Sequence, residues 1–431
     1  MARDEHAPRS FLTPGEAAAV RERFGTPCYV YDRASLDAAA KRALAFPHAF
    51  GLTVRYAMKA NSCGAILALF RDLDLRIDAS SDFEVERALR AGFSPERIAL
   101  TSQAPSRRLR SFVEGSIRFT ACSLLQLRRF GETFPGRDVT IRVNPGLGSG
   151  AMNRVNTGGP ASSFGIWHEQ LDEAKDLAAR CGISIAGLHT HIGSGADPEI
   201  WTRVARLTLG IAERLPDVFV VSLGGGFKVA RMPGERATDL ERIGDVVRDE
   251  FVAFRERTGR ALHLEIEPGA YLTANAGAIV ASCVDVVSTG PEGYTFAKLD
   301  AGMTELLRPS LYGAQHPIDL HAGDGSTGAA GRERESVVFV GPCCETGDVL
   351  TPAPGDPEGL APREVPRPEV GDLVVIGGAG AYAASMAATG YNSYPAAPEV
   401  MRDAPGEFRP ARRRPTLEQA LANEIGPGAE E

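Results

Sequence analysis

The run VRYAMKAN, residues 54–61, ends a short β-rich stretch on a lysine and leads into Ser62-Cys63-Gly64, a turn-like break. A lysine buried at a strand end is costly unless it is deprotonated or bonded. The stretch is the first of eight. After it come LRIDA (75–79), RIAL (97–100), IRFTA (117–121), VTIRVN (139–144), ISIAGLHTH (183–191), VFVVSL (218–223) and LHLEIE (262–267). Amphipathic segments lie between them, such as DFEVERALRAG (82–92) and HEQLDEAKDLAARCG (168–182). In the latter, Leu171, Ala174, Ala178 and Ala179 share a face, and Gly182 stands where a helix C-cap belongs. Alternating strands and helices predict α/β architecture, and eight repeats predict a closed (β/α)8 barrel. The pattern alone leaves an open doubly wound sheet as the alternative.

After about residue 278 the helices stop. AIVASCVDVV (278–287), YTFAKLD (294–300), SVVFVG (336–341) and DLVVIGG (372–378) read as strands, so this half is expected to be all-β, a sandwich or barrel. Two stretches rich in Gly, Pro and charge, 321–335 and 351–371, read as long surface loops. TLEQAL (416–421) carries a capping-box helix start.

Composition narrows the class. The net charge of −8 argues against non-specific binding to nucleic acid or acidic membranes. The seven cysteines are odd in number and form no CxxC pair, which argues for a reducing, cytoplasmic compartment and against a disulfide framework or a zinc site. No metal site is expected. The opening MARDEHAPRSF is too polar for a signal peptide, and no apolar run reaches membrane-spanning length.

In such barrels chemistry sits at the C-terminal ends of the strands. Those ends carry Lys59, then Asp78 with Ser80 and Ser81, Asn144, His189 and His191, Gly224-Gly225-Gly226, and Glu267. Glycine turns such as SLGGGF (222–227) and HIGSG (191–195) let backbone N–H groups approach a phosphate, and Ser194 adds a hydroxyl. A covalent bond to an aldehyde satisfies a strand-end lysine. An aldehyde cofactor that carries a phosphate is pyridoxal 5′-phosphate, whose ring nitrogen wants a carboxylate partner. Glu267 supplies one, and His191 is placed to stack on a ring. Each residue also has an ordinary reading. Lys59 is then a surface lysine, one of the two histidines a satisfied buried imidazole, Glu267 an ion-pair partner, and Cys343 and Cys344 small core residues.

From FGTPCYVYD (24–32) to YNSYPAAPEV (391–400) the chain resembles the pyridoxal-phosphate decarboxylases that act on diaminopimelate, ornithine and arginine, which share the alanine-racemase-like fold. The resemblance implies a barrel over 35–278 and a β-rich domain made of 1–34 and 279–431. It makes Lys59 the cofactor lysine and His191 the ring-stacking histidine. Ser194 with Gly224, Gly225 and Gly226 becomes the phosphate site. EPG makes Glu267 the ring-nitrogen partner, followed by Gly269. GPCCETGD (341–348) resembles the family's GPxCExxD, so Cys344 becomes the proton donor and Glu345 a substrate contact. Tyr391 is implied as a phosphate and substrate contact. The resemblance also implies a homodimer whose partner completes each active site.

LLRPSLYGAQH (306–316) looks most like the diaminopimelate enzymes, with Arg308 and Tyr312 at the substrate-contacting positions. A fixed guanidinium suits a second carboxylate. The implied reaction is meso-diaminopimelate to L-lysine and CO2, a step of lysine biosynthesis. One position departs: the family reads EPGR where this chain has EPGA, with Ala270 in place of an arginine that anchors substrate or phosphate. Arg154 and Arg332 are candidate substitutes. The departure keeps another substrate open, such as D-ornithine, D-lysine or a carboxylated polyamine of the carboxynorspermidine kind. Outside that class stand a racemase, which places arginine at the ring nitrogen, and a catalytically dead regulatory homologue.

Overall fold

The eight runs form one parallel sheet that closes on itself. Its strands are Leu52–Ala57, Arg76–Ala79, Ile98–Thr101, Arg118–Ala121, Asp138–Asn144, Ser184–His189, Val220–Ser222 and His263–Ile266. Each pairs in parallel with the next, and the ring shuts where Leu264 of the last strand faces Leu52 of the first. Closure decides against the open sheet. The computed structural model describes residues 10–147, 158–191 and 196–425. The chain divides into two compact units: Asp37–Ala230 with Glu235–Thr273, and Met1–Leu36 with Arg231–Gly234 and Ala274–Glu431.

Period-two alternation sorts the barrel side chains into two sets. Val54 and Tyr56 belong to the outer set, and Tyr56 packs edge-on against Phe70 of the helix Gly64–Asp72, ring centroids 4.7 Å apart. Phe119 stacks at 5.7 Å on Phe130 of the helix Leu124–Thr133. The other set is unusually polar. Arg55, Asp78, Arg142, His189, Glu265 and Glu267 are all buried. Glu265 lies 3.2 Å from Arg55 and also pairs with Arg118. Burial pushes its carboxyl up, but the two guanidinium groups outweigh that and hold it down at about 2. Removing one partner of a buried pair costs about 3–5 kcal/mol, so this cluster fixes strands one, four and eight against each other. The helix Leu171–Cys181 ends at Gly182 with φ +66°, the left-handed cap the sequence calls for.

The second unit holds a nine-stranded mixed sheet. The N-terminal strand Cys28–Asp32 runs antiparallel to Gly277–Ser288 and parallel to Glu399–Ala404, which ties the two ends of the chain into one sheet. Val30, Val280, Leu373 and Val400 form its core, against Val20 of the helix Pro14–Phe24. Thr416 and Gln419 make the expected capping box.

The two loop readings need correction. Residues 351–371 contain the strands Pro352–Ala353, Asp356–Leu360 and Arg363–Pro366. The first two form a ladder, and the third pairs with Arg334–Val340 at the sheet's edge, where proline is tolerated because one side needs no donor. Residues 321–335 contain a 3-10 turn at Gly328–Gly331 and open the strand Arg334–Val340. Among the described residues no helix is long and apolar enough to cross a membrane.

Candidate active site

The first barrel strand stops at Ala57, whose N–H donates to the Pro268 carbonyl at 3.2 Å. A single 3-10 turn, Met58–Ala60, follows. Met58 and Ala60 are buried and Lys59 is exposed, so the expected burial of the lysine is corrected. The turn ends the strand and swings the ammonium off the pleat. Tyr56 braces it by donating its hydroxyl to the Asn61 carbonyl at 2.7 Å. The turn after the eighth strand packs against it: a Cβ on Gly269 would lie 3.2 Å from the Ala57 carbonyl oxygen and from the Ala60 methyl. Strand ends one and eight, bearing Lys59 and Glu267, are thereby locked together.

Glu267 is buried and accepts the Ser222 hydroxyl at 2.7 Å, while that hydroxyl oxygen accepts the Gly224 N–H at 3.1 Å. Burial pushes its carboxyl above the ordinary range, with Ser222 opposing and the Glu265 charge adding to the rise. His189 Nε2 lies 3.2 Å from Glu267 Oε2 but is not aligned for a hydrogen bond. Burial, then Arg142 and Lys59, push His189 well below its usual value, which leaves it neutral. Asp78 completes the group. Burial and then the Glu267 charge push it up to about 7, and its Oδ1 is buried with no hydrogen-bond partner among the described residues.

The glycine turn closes over this floor. Gly224 has φ +71° and Gly226 φ +96°, backbone that side chains rarely adopt. A Cβ on Gly224 would fall 2.7 Å from His191 Nδ1, and one on Gly225 would collide with the Glu267 carbonyl oxygen. His191 is held neutral by burial, then by Arg142 and Lys59. Ser194 lies outside the described residues. A lysine amine, a buried carboxylate, a neutral imidazole and a bare glycine turn fit pyridoxal phosphate: one group for its aldehyde, one for its ring nitrogen, one for its ring face and one for its phosphate. Among the described residues no cluster of His, Cys, Asp and Glu is arranged to hold a metal.

Arg308, Tyr312, Cys344, Glu345 and Tyr391 lie in the β-rich unit. Arg308 opens the short helix Arg308–Tyr312, with Tyr312 half-buried at its end. Arg308 Nη1 stands 3.1 Å from His316 Nε2, and His316 Nδ1 stands 2.9 Å from the Gly377 carbonyl. Both contacts are bonds only if Nδ1 carries the proton, so the histidine is neutral and accepts from the arginine. Cys344 is exposed, with its N–H on Asn392 Oδ1 at 2.8 Å, so it is no core residue. Burial, then Asp348, push the neighbouring Cys343 thiol up to about 12. Glu345 Oε2 lies 3.4 Å from the Tyr391 hydroxyl. Asp348 is buried over Gly302 and Gly341, and it accepts the Met303 and Cys343 N–H groups at 2.6 and 3.0 Å. Ala270 opens a short helix after EPG. Of the proposed substitutes for the missing arginine, Arg332 is committed to Asp372 and to Glu369, and Arg154 lies outside the described residues.

Sequence reasoning passed over Arg142, Ser222 and His316. Arg142 is buried with Nη2 unpartnered among the described residues and lies over the Phe164 ring at 4.9 Å. A charged residue inside the run VTIRVN, on the same face as Asn144, was the available signal.

Residues 36–274 match the family model described as "Pyridoxal-dependent decarboxylase, pyridoxal binding domain". A diaminopimelate decarboxylase of Streptomyces coelicolor is 40% identical over 426 residues, which is 96% of this chain and 92% of that protein. A crystal structure of diaminopimelate decarboxylase superposes with a TM-score of 0.89 at 34% identity, covering 97% of this chain and 99% of that one. The Helicobacter pylori diaminopimelate decarboxylase complexed with L-lysine gives a TM-score of 0.82 at 26% identity, covering 94% and 98%.

Proposed function

The chain belongs to the pyridoxal-dependent decarboxylases, and from that premise we propose that it removes one carboxylate from meso-diaminopimelate, releasing L-lysine and CO2. Pyridoxal phosphate, when bound, supplies an aldehyde for the substrate amine and a protonated ring that draws electrons from the breaking bond. The protein does the rest. Lys59, the exposed residue of a turn whose other two residues are buried, offers its amine. Glu267, aimed by Ser222, keeps a proton on the ring nitrogen. The glycine turn 224–226, through the N–H groups of Gly225 and Gly226 and with Ser194, would hold the phosphate, while the Gly224 N–H stays on Ser222, and neutral His191 would cover the ring face. Arg308 binds the carboxylate that stays behind, with Tyr312, Glu345 and Tyr391 around it. Cys344 returns a proton to the carbon that lost CO2.

One observation carries the reading: a buried carboxylate, not an arginine, stands beside the lysine turn. A carboxylate there favours the electron sink that decarboxylation needs. Cys344 and Lys59 are inferred to come from different copies of a homodimer, each completing the other's site. The seven free cysteines support a cytoplasmic setting. The test is a panel of amino acids scored for CO2 release by the purified holoenzyme. Release from meso-diaminopimelate with equimolar L-lysine is expected. Release only from D-ornithine, D-lysine or a carboxylated polyamine sinks the substrate assignment, and release from none sinks the activity.

A further inference from the structure

His189 and Ser222 face each other on neighbouring barrel strands, Ser184–His189 and Val220–Ser222, and Glu267 follows the next strand round the ring, His263–Ile266. All three side chains are buried. Ser222 donates to Glu267 Oε1 at 2.7 Å. His189 Nε2 stands 3.2 Å from the other oxygen, Oε2, the length of a hydrogen bond with only its direction missing. Neither ring nitrogen of His189 has a hydrogen-bond partner among the described residues. Native interiors pair nearly all such groups, so the ordinary reading of a satisfied buried imidazole does not fit this one.

Its proton has one favourable place. The ring is neutral, because burial and then the charges of Arg142 and Lys59 oppose a second proton. A neutral imidazole carries a single N–H. On Nε2 that N–H meets a carboxylate oxygen; on Nδ1 it leaves a bare lone pair against the same oxygen. Glu267 gains from the first arrangement. Burial lifts its carboxyl above the ordinary range, and hydrogen bonds to the charged form oppose the rise. Ser222 makes one such bond. A carboxylate has about four lone-pair sites, so a second bond at Oε2 still leaves room for a ring N–H.

We propose that His189 is a positioning residue: from its Nε2–H tautomer it donates to Glu267 Oε2, so that with Ser222 on Oε1 the carboxylate stays ionised and aimed at the pyridine nitrogen. The inference rests on the role given to Glu267 above.

The test is nitrogen NMR of the holoenzyme, isotope-labelled in its histidines in one sample and in the cofactor nitrogen in another. The histidine signal that disappears in His189→Gln should belong to a neutral ring protonated on Nε2. In His189→Leu the cofactor nitrogen should move toward its unprotonated form. There kcat for meso-diaminopimelate should fall roughly 10-fold or more, the scale of one hydrogen bond to a charged group, with the Michaelis constant little changed. His189→Gln, whose amide offers an N–H at the reach of Nε2, should restore much of both. A histidine protonated on Nδ1, or on both nitrogens, overturns the proposal. So does a cofactor nitrogen unmoved in His189→Leu, whatever happens to the rate, since a merely structural histidine would give that result. An unprotonated cofactor nitrogen in the wild type removes the role given to Glu267, and the tautomer of His189 then decides the hydrogen bond separately.

Discussion

Lys59 stands on a three-residue turn whose flanking side chains, Met58 and Ala60, are buried. The turn is gripped from below by the segment Glu267-Pro268-Gly269, so the amine has a defined origin even though its tip is exposed. Borohydride reduction of the holoenzyme should therefore fix the cofactor on the peptide that contains Lys59, and Lys59→Ala should take no label. Label on another lysine contradicts the assignment. Arg308 is seated as firmly, by a histidine whose tautomer is fixed by the Gly377 carbonyl. Arg308→Ala should raise the Michaelis constant for meso-diaminopimelate by roughly 10²-fold, since a charge-assisted hydrogen bond is worth about 1.5–3 kcal/mol. A fall in kcat at constant Michaelis constant would place the arginine elsewhere in the reaction.

Among the elements, the barrel strands were legible because each is a short apolar run between helical patterns, and closure fixes their order. Residues 351–371 were not, because proline and glycine at a sheet edge look the same in sequence as proline and glycine in a loop. The polar barrel interior was also hidden. Arg55, Arg118 and Glu265 meet only because strands far apart in the chain become neighbours across the ring. Glu305, which follows the strand Thr295–Leu299, is a similar case. It is buried, and burial pushes it up to about 7 against hydrogen bonds from Thr304 and the Gly302 N–H. An unfolded glutamate titrates at about 4.3. Between those values the native chain keeps a proton that the unfolded chain has released, so stability falls as pH rises through that window. Glu305→Gln should gain on the wild type between pH 5 and pH 8, by on the order of 1–3 kcal/mol in denaturant titrations. Parallel pH curves would mean that Glu305 does not ionise there.

For the whole molecule, the inferred dimer makes a sharp arithmetic prediction. Lys59→Ala and Cys344→Ala should each be nearly inactive. If each site takes its lysine from one copy and its cysteine from the other, subunit exchange makes about half of the dimers mixed. Every mixed dimer then holds one intact and one doubly damaged site, and activity returns to roughly a quarter of wild type. If both residues serve a site from one chain, mixing restores nothing. The reaction is tested most directly by turnover of meso-diaminopimelate by wild-type holoenzyme in D2O, with mass spectrometry of the products. The account predicts CO2 and L-lysine in equal amounts, the lysine carrying one deuterium on the carbon that lost the carboxylate. Deuterium appearing in diaminopimelate without CO2 would mark a racemase, and unlabelled, unreacted diaminopimelate would contradict the account outright.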